Sequence, residues 1–368
     1  CGTLFPYTTL FRSGDKAAAL ARWVAEPGFP VQETGNQHFQ KTGTRIMICP
    51  VCDSDTVERS FKLHDRFFGV TREEFDAFRC QSCCALFLDQ DLVRERVREF
   101  YPENYWWSPG GLSGRLEGFY RKWVLKLDHL AFTKKALAGL KDPECLEIGS
   151  GSGSFTRAAQ GEGIRLRGLE ISASAVFRAR EQGTANIETG TIEKAVGEGW
   201  VFDAVILFHV LEHLPDPRDF MEQLSAVLRE GGMLILQVPN TDSWQAKIFG
   251  GRWYGLDCPR HVCNYSRKSL EALLGGSGFK IRMFDTYSLR DNAPAFVSSL
   301  FPSLDPLGRR AKCLAGERSP GNWKSLFLNL LYFGMVVCVS PFAWLESLAG
   351  KGATIKVAAE KTNPGGQG

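Results

Sequence analysis

The stretch Cys145-Leu146-Glu147-Ile148-Gly149-Ser150-Gly151-Ser152-Gly153 limits the folds open to this chain more than any other. A short apolar run closes on an acidic residue and gives way to a turn with glycine at every second position. Glycine lets a backbone turn sharply and come close to a ligand. The residues that follow, Ser154 to Gln160, read as a helix whose N-terminus favours polar or negative groups. The pattern predicts a nucleotide-type cofactor loop at the end of the first strand of a parallel α/β sheet. A dinucleotide fingerprint would need Gly-x-Gly-x-x-Gly, and Ser154 stands where its last glycine belongs. A plain strand-to-helix turn in an unrelated α/β domain is the bland alternative.

Four further motifs follow in order. Arg165 to Leu169 reads as a second strand ending in Glu170, where a carboxylate can accept hydrogen bonds from a ribose diol. Asn186 to Glu188 reads as a third strand, leading into Gly190-Thr191-Ile192-Glu193. Phe202 to Phe208 reads as a fourth, followed by His209-Val210-Leu211-Glu212-His213-Leu214-Pro215, and Gly231 to Asn240 as a fifth. Together with Pro259-Arg260-His261-Val262 and Gly278-Phe279, these resemble the class I S-adenosylmethionine-dependent methyltransferases of the ubiquinone-biosynthesis type. The resemblance implies a Rossmann-like sheet of seven strands in the order 3-2-1-4-5-7-6, the last strand antiparallel. It implies S-adenosylmethionine as cofactor, with the methionine part on Gly149, Ser150, Gly151 and Gly153. Glu147 would orient the amino group and Glu170 the ribose, with Ile171 beside it; Thr191 and Ile192 would border adenine, and Phe208 would line the pocket.

Methyl transfer from a sulfonium is an in-line displacement, so the protein must align the reactants and exclude water. A hydroxyl acceptor also needs a destination for its proton, and histidine titrates in the useful range. His209, at the C-terminal end of the fourth strand, is the first candidate catalytic residue, as base or as pocket wall. His261 is the second. Each also reads as a hydrogen-bonded packing residue, and His213 as a turn cap. Oxygen is the expected target, because the Asn-Pro-Pro-Tyr motif of amino-group methylases does not follow the fourth strand. Two rival readings are a zinc-ribbon RNA methyltransferase and a non-catalytic, membrane-attached cofactor-binding protein.

Cys49-x-x-Cys52 and Cys80-x-x-Cys83 stand apart among the eleven cysteines. Two such knuckles complete a tetrahedral thiolate shell, so structural Zn2+ is expected on Cys49, Cys52, Cys80 and Cys83, with Cys84 a competing ligand. A metal-free hairpin is the alternative. The remaining cysteines form no small-scaffold disulfide pattern, which points to a reducing cytoplasm.

The expected organisation begins with residues 1–46 as a leader. Residues 3–13 read like translated sequencing-adapter DNA, and no methionine precedes Met47, the expected start. A zinc ribbon over 47–90 follows, with a helical cap over 91–143 that carries Tyr105, Trp106, Trp107, Phe119 and Trp123. The core spans 144–290, a hydrophobic helical insertion 291–350, the last strand 351–361 and a tail 362–368. The net charge of +3 and the absence of a dense basic face on the ribbon argue against a nucleic-acid partner.

The insertion separates a sixth strand, Phe279 to Tyr287, from a seventh, Ala353 to Glu360. Its run 325–345 carries no charge and is long enough to span a bilayer. Because the flanking strands must pair in one sheet, a single crossing is ruled out. A helix broken near Pro341 and lying in the membrane interface is expected instead, with Arg309, Arg310, Lys312, Arg318 and Lys324 available to anionic head groups. A helical pair over the acceptor site, or a homodimer interface, is the alternative. The expected acceptor is a small molecule, a glycan or a lipid-linked compound.

Overall fold

The computed structural model describes residues 47–101, 124–309 and 322–362. The expected leader, the aromatics from Tyr105 to Trp123, the basic positions Arg310, Lys312 and Arg318, and the tail after 362 lie outside them.

Strands β1 (Val57–His64), β2 (Glu74–Cys80) and β3 (Leu86–Leu88) come first. Then come β4 (Glu144–Ile148), β5 (Arg165–Glu170), β6 (Ile187–Thr189), β7 (Phe202–Phe208), β8 (Leu228–Pro239), β9 (Cys263–Asn264), β10 (Phe279–Asp285) and β11 (Thr354–Lys361). Seven of them form one sheet in the order β6-β5-β4-β7-β8-β11-β10. β11 runs antiparallel to both neighbours and the other pairs are parallel. This is the order and polarity expected from the sequence. The central strands are apolar on both faces, as a covered parallel sheet requires: Val205, Ile206, Leu207, Leu234, Ile235 and Leu236 are all fully buried.

The N-terminal cysteine segment does not stand alone. β1, β2 and β3 form a second sheet that β9 completes, Leu86 opposite Asn264 and Phe87 opposite Cys263. Cys83 and Phe87 share a buried cluster with Val238 and Tyr265 of the main domain. Arg260 fastens the same junction. Its guanidinium is fully buried and forks onto Asp65 of the ribbon at 2.8 and 3.1 Å and onto Asp257 at 2.6 and 3.0 Å. It also lies 4.3 Å from the ring centre of Phe68.

Four helices matter below: α1 (Ser154–Gln160), α2 (Trp244–Phe249), α3 (Asn292–Leu300) and α4 (Asn322–Leu348). α3 and α4 form the insertion and pack together through Ala293, Val297, Tyr332, Val336 and Ala343. α4 runs unbroken through Pro341, correcting the expected break. Proline removes one helical hydrogen bond, but a long helix packed against a neighbour can absorb that loss.

Candidate active site

The glycine turn is built as its composition requires. Gly149, Gly151 and Gly153 all take left-handed backbone angles, with φ of 73°, 54° and 69°. A β-carbon on Gly149 would sit 2.5 Å from Val210 Cγ2, so the turn lies tightly against the loop after β7. Gly153 precedes α1 directly.

Glu170, buried at the end of β5, holds this turn in place. One carboxylate oxygen accepts from the Gly151 amide at 2.8 Å and the other from the Ser172 amide at 2.9 Å. Burial still pushes its pKa up, against those two bonds. Glu147 is buried beneath the turn and accepts from the Thr156 hydroxyl. Burial raises Glu147 to about 7; the Thr156 bond opposes this and the Glu170 charge adds to it. Such a group is poised to take up a cationic partner. The buried Ser150 hydroxyl has no hydrogen-bond partner among the described residues. Ile171 is 51% exposed beside Glu170, and Thr191 is half-buried before the next helix. Ile192 turns its side chain into the core, leaving the rim to those two.

The second half of the site lies at the C-terminal end of β7. His209 has a left-handed φ of 58°, unusual for a side chain branching into a ring, so the structure fixes its direction. Its Nδ1 lies 3.1 Å from Glu212 and its Nε2 3.3 Å from Asp291. Gln237 reaches both, with Nε2 at 2.9 Å from His209 Nε2. Burial pulls the imidazole pKa down, but Asp291 and Glu212 outweigh it and hold it up to about 9. Asp291 in turn is held far below the usual carboxylate range: burial works against this, and the charges of His209 and Arg290 prevail. The two carboxylates thus favour the protonated ring, while the Gln237 amide nitrogen, itself a donor, is placed to donate to a neutral Nε2.

A buried polar chain continues from Asp291. Its Oδ2 accepts from the Ser288 hydroxyl at 2.8 Å, the Ser288 hydroxyl also lies 2.6 Å from Asp128, and Lys356 of β11 donates to Asp128 at 2.7 Å. Lys356 and Asp128 are almost wholly buried.

Sequence reasoning missed His129. Its buried ring stacks on Phe208 at 4.1 Å, and Phe155 of α1 meets Phe208 edge-on at 4.9 Å. His129 Nε2 has no partner among the described residues, and burial holds its pKa well below the usual value. Only a helical apolar spacing marks this stretch in the sequence, and a histidine within it reads as packing. His261 is buried on Glu212, the residue that also bonds His209: ligand atoms of Glu212, His213 and His261 lie within 4.8 Å of one another. Its Nδ1 lies 2.8 Å from the Gly255 carbonyl, and its ring stands edge-on to His213 at 4.7 Å. Burial, with the His261 charge, lowers His213 to about 4.

The four knuckle cysteines converge. Cys49 and Cys83 sulfurs are 3.6 Å apart, as are those of Cys52 and Cys80. A tetrahedral ion at zinc–sulfur distances of about 2.3 Å needs sulfur separations of about 3.8 Å, so the set fits one such ion. Asp53 and Cys84 occupy equivalent left-handed positions after the two knuckles, at φ of 57° and 67°. Cys84 is therefore a turn residue and stands outside the group of four sulfurs.

The Methyltransferase domain family model matches residues 116–283. A ubiquinone biosynthesis O-methyltransferase of Glaesserella parasuis is 24% identical over 174 residues, 44% of this chain and 71% of the relative. One from Erwinia tasmaniensis is 26% identical over 163 residues, 42% of this chain and 65% of the relative. The chain thus spans less than two thirds of the length of some of these relatives. Among solved structures, a SAM-dependent methyltransferase from Archaeoglobus fulgidus is 17% identical with a TM-score of 0.42, covering 68% of this chain and 100% of its own.

Proposed function

We propose that this chain, a class I S-adenosylmethionine-dependent methyltransferase, methylates a hydroxyl group placed against the His209–Asp291 pair. The observation that carries the reading is the cradle formed by three left-handed glycines and the buried Glu170 carboxylate, facing the end of β7 where the pair lies.

The residues present fit the cofactor. Gly149, Ser150, Gly151 and Gly153 would hold the methionine part through the backbone of the turn, since the buried Ser150 side chain packs against Gly168 of β5. Glu147 would face the cationic amino group. Each oxygen of Glu170 accepts one backbone bond and keeps a lone pair for a ribose hydroxyl. The bound cofactor supplies an activated methyl group on a sulfonium. This chain's own residues then bind, orient and exclude water.

Asp291, partly open to solvent, would accept the acceptor's hydroxyl hydrogen bond and then its proton, which the oxygen sheds readily as it is methylated, and pass it to solvent, while His209 would hold the carboxylate in place. Both ring nitrogens of His209 already face carboxylates, which favours its role as a fixed cation over that of a free base. One Zn2+ on Cys49, Cys52, Cys80 and Cys83 would be structural, since four thiolates leave no open position.

The test is calorimetry with S-adenosylmethionine and S-adenosylhomocysteine on the full chain and on Gly151→Arg, followed by labelled methyl transfer to hydroxyl compounds. Binding that is lost in the variant, with label transferred to oxygen, supports the reading. A folded chain that binds neither compound would overturn it. Binding without any transfer would move the chain to the non-catalytic alternative.

A further inference from the structure

We infer that the outward face of α4, flanked by α2 and the end of α3, docks in the plane of an anionic lipid surface. The observation is the pattern of burial along α4. Tyr332, Val336 and Ala343 turn inward onto α3, while Trp323, Phe327, Leu330, Val337, Trp344 and Leu348 point outward at 52 to 84% exposure. Beyond Lys324, every outward position of α4 is apolar or glycine. A surface helix of a soluble domain carries its charged residues on that face, and here the assignment is reversed. The helix has 27 residues, about 40 Å of it, and is long and apolar enough to cross a bilayer.

Crossing is excluded by what α4 is fastened to. Near its start Tyr332 meets the Ser298 hydroxyl at 3.1 Å, and Arg309 bonds Asn329. Near its end Gln245 donates to Glu346 at 2.7 Å, and Asn292 donates to the Ser347 hydroxyl at 2.9 Å. From Asn329 to Ser347 the helix therefore lies along the domain, and there only its outward face is available to lipid.

Neighbouring elements enlarge the same face. Trp244 of α2 packs on Phe342 with ring centres 6.1 Å apart, and Trp244, Ile248, Leu300 and Phe301 are exposed around α4. Charge selects the occupant. Among the described residues of α2, its following turn, α3 and α4, the exposed charged side chains are Lys247, Arg252 and Lys324, all basic. The acid on these elements, Glu346, is fully buried. An apolar strip with tryptophan towards both ends and a purely basic margin complements a layer of acyl chains under anionic head groups.

Asn292, the residue after Asp291, bonds Ser347 near the end of α4, so the C-terminal end of this face lies on the side of the His209–Asp291 pair. A hydroxyl acceptor with a lipid tail would reach the pair from that side. This last step rests on the methyl-transfer reading, whereas docking does not.

The experiment is flotation of the full chain with vesicles of phosphatidylcholine alone or mixed with phosphatidylglycerol. The comparison variants are Phe327→Glu/Val337→Glu/Leu345→Glu and Lys247→Glu/Arg252→Glu/Lys324→Glu. The expected result is flotation with the mixed vesicles that weakens with salt, about tenfold less of it in the first variant, and loss of the preference for phosphatidylglycerol in the second. S-adenosylmethionine binding should be unchanged in both; this separates docking from folding and from the cofactor reading. Equal flotation of all three proteins, or none by the parent chain, overturns the inference. So does a parent dimer in sedimentation that the first variant dissociates without any vesicle binding, because a second copy would then cover the face.

Discussion

Asp291 Oδ2 lies 3.3 Å from His209 Nε2 although 82 positions separate the two residues in the chain. The contact depends on the insertion: Asp291 immediately precedes α3, while His209 ends β7. The segment that departs from an ordinary short hairpin between the last two strands thus supplies a partner to the site.

Asp291→Asn removes the charge that most strongly favours imidazolium. The His209 pKa should fall from about 9 towards the ordinary 6.5. The net shift, with burial opposing and Asp291 and Glu212 both contributing, corresponds to on the order of 3 kcal/mol of preference for the charged form. Because the folded pKa is raised, that stabilisation is complete below pH 6.5 and is lost as pH rises through about 9. Titration of the imidazole by NMR in both proteins checks the shift. Methyl transfer in the variant should fall about 10- to 100-fold with little change in cofactor affinity, since Asp291 stands outside the glycine cradle.

Glu147 predicts a second pH dependence. Its carboxyl is raised to about 7 by burial, so in the folded chain it is mostly neutral at pH 6 and mostly ionised at pH 8. Its ionisation costs folding stability from pH 4.5 upwards, and the cost is complete above about 7. A cationic amino group restores the charged form, so S-adenosylmethionine should bind more tightly as pH rises through 7, with proton release on binding below it. Glu147→Gln should flatten the profile and weaken binding about tenfold. Calorimetry in buffers of different ionisation enthalpy reads both effects, and a flat profile in the parent chain would refute the assignment of Glu147.

The sheet order and the glycine cradle were legible because both rest on local pattern. Apolar runs of strand length alternate with helical periods, and an alternating glycine turn has few uses other than a close backbone approach. The cysteine knuckles were legible from spacing. The polar chain from His209 through Asp291 and Ser288 to Asp128 and Lys356 was not, because its members are ordinary residues and every link but Ser288–Asp291 joins positions distant in sequence. A covered antiparallel strand buries both faces, Lys356 included, and the Asp128 carboxylate, with Asp285 at 3.5 Å, makes that burial tolerable. The two-residue β9 escaped for a similar reason: nothing in Cys263–Asn264 announces that β3 will pair with it.

Lys356→Met should therefore be costly although methionine fills a similar volume. It leaves Asp128 buried without its cation, which destabilises a domain by about 3 to 5 kcal/mol. Adding Asp128→Asn removes the stranded charge and should recover at least half of the loss. Urea unfolding of the parent, both single variants and the double variant measures the coupling, and additive effects would deny that the pair acts as a unit.

The ribbon offers a test of how metal and main domain are connected. β3 pairs with β9, Leu88 N donates to the Val262 carbonyl at 2.9 Å, and Arg260 joins Asp65 to Asp257. Elemental analysis should find one zinc per chain. Cys80→Ser, or exhaustive chelation, should remove it and unfold the two knuckles, because the bonds of one ion to four sulfurs are what would tie them together. The loss should travel along β3, so hydrogen exchange at Cys263 and Asn264 should accelerate by an order of magnitude or more, while amides of the glycine turn stay protected. Arg260→Lys supplies the converse arm. It keeps the cysteines and the charge but loses the planar fork onto two carboxylates, so the same amides should exchange faster with zinc still bound. Unchanged exchange at β9 in the metal-free chain would mean that the ribbon is fastened by the buried Arg260 cluster alone.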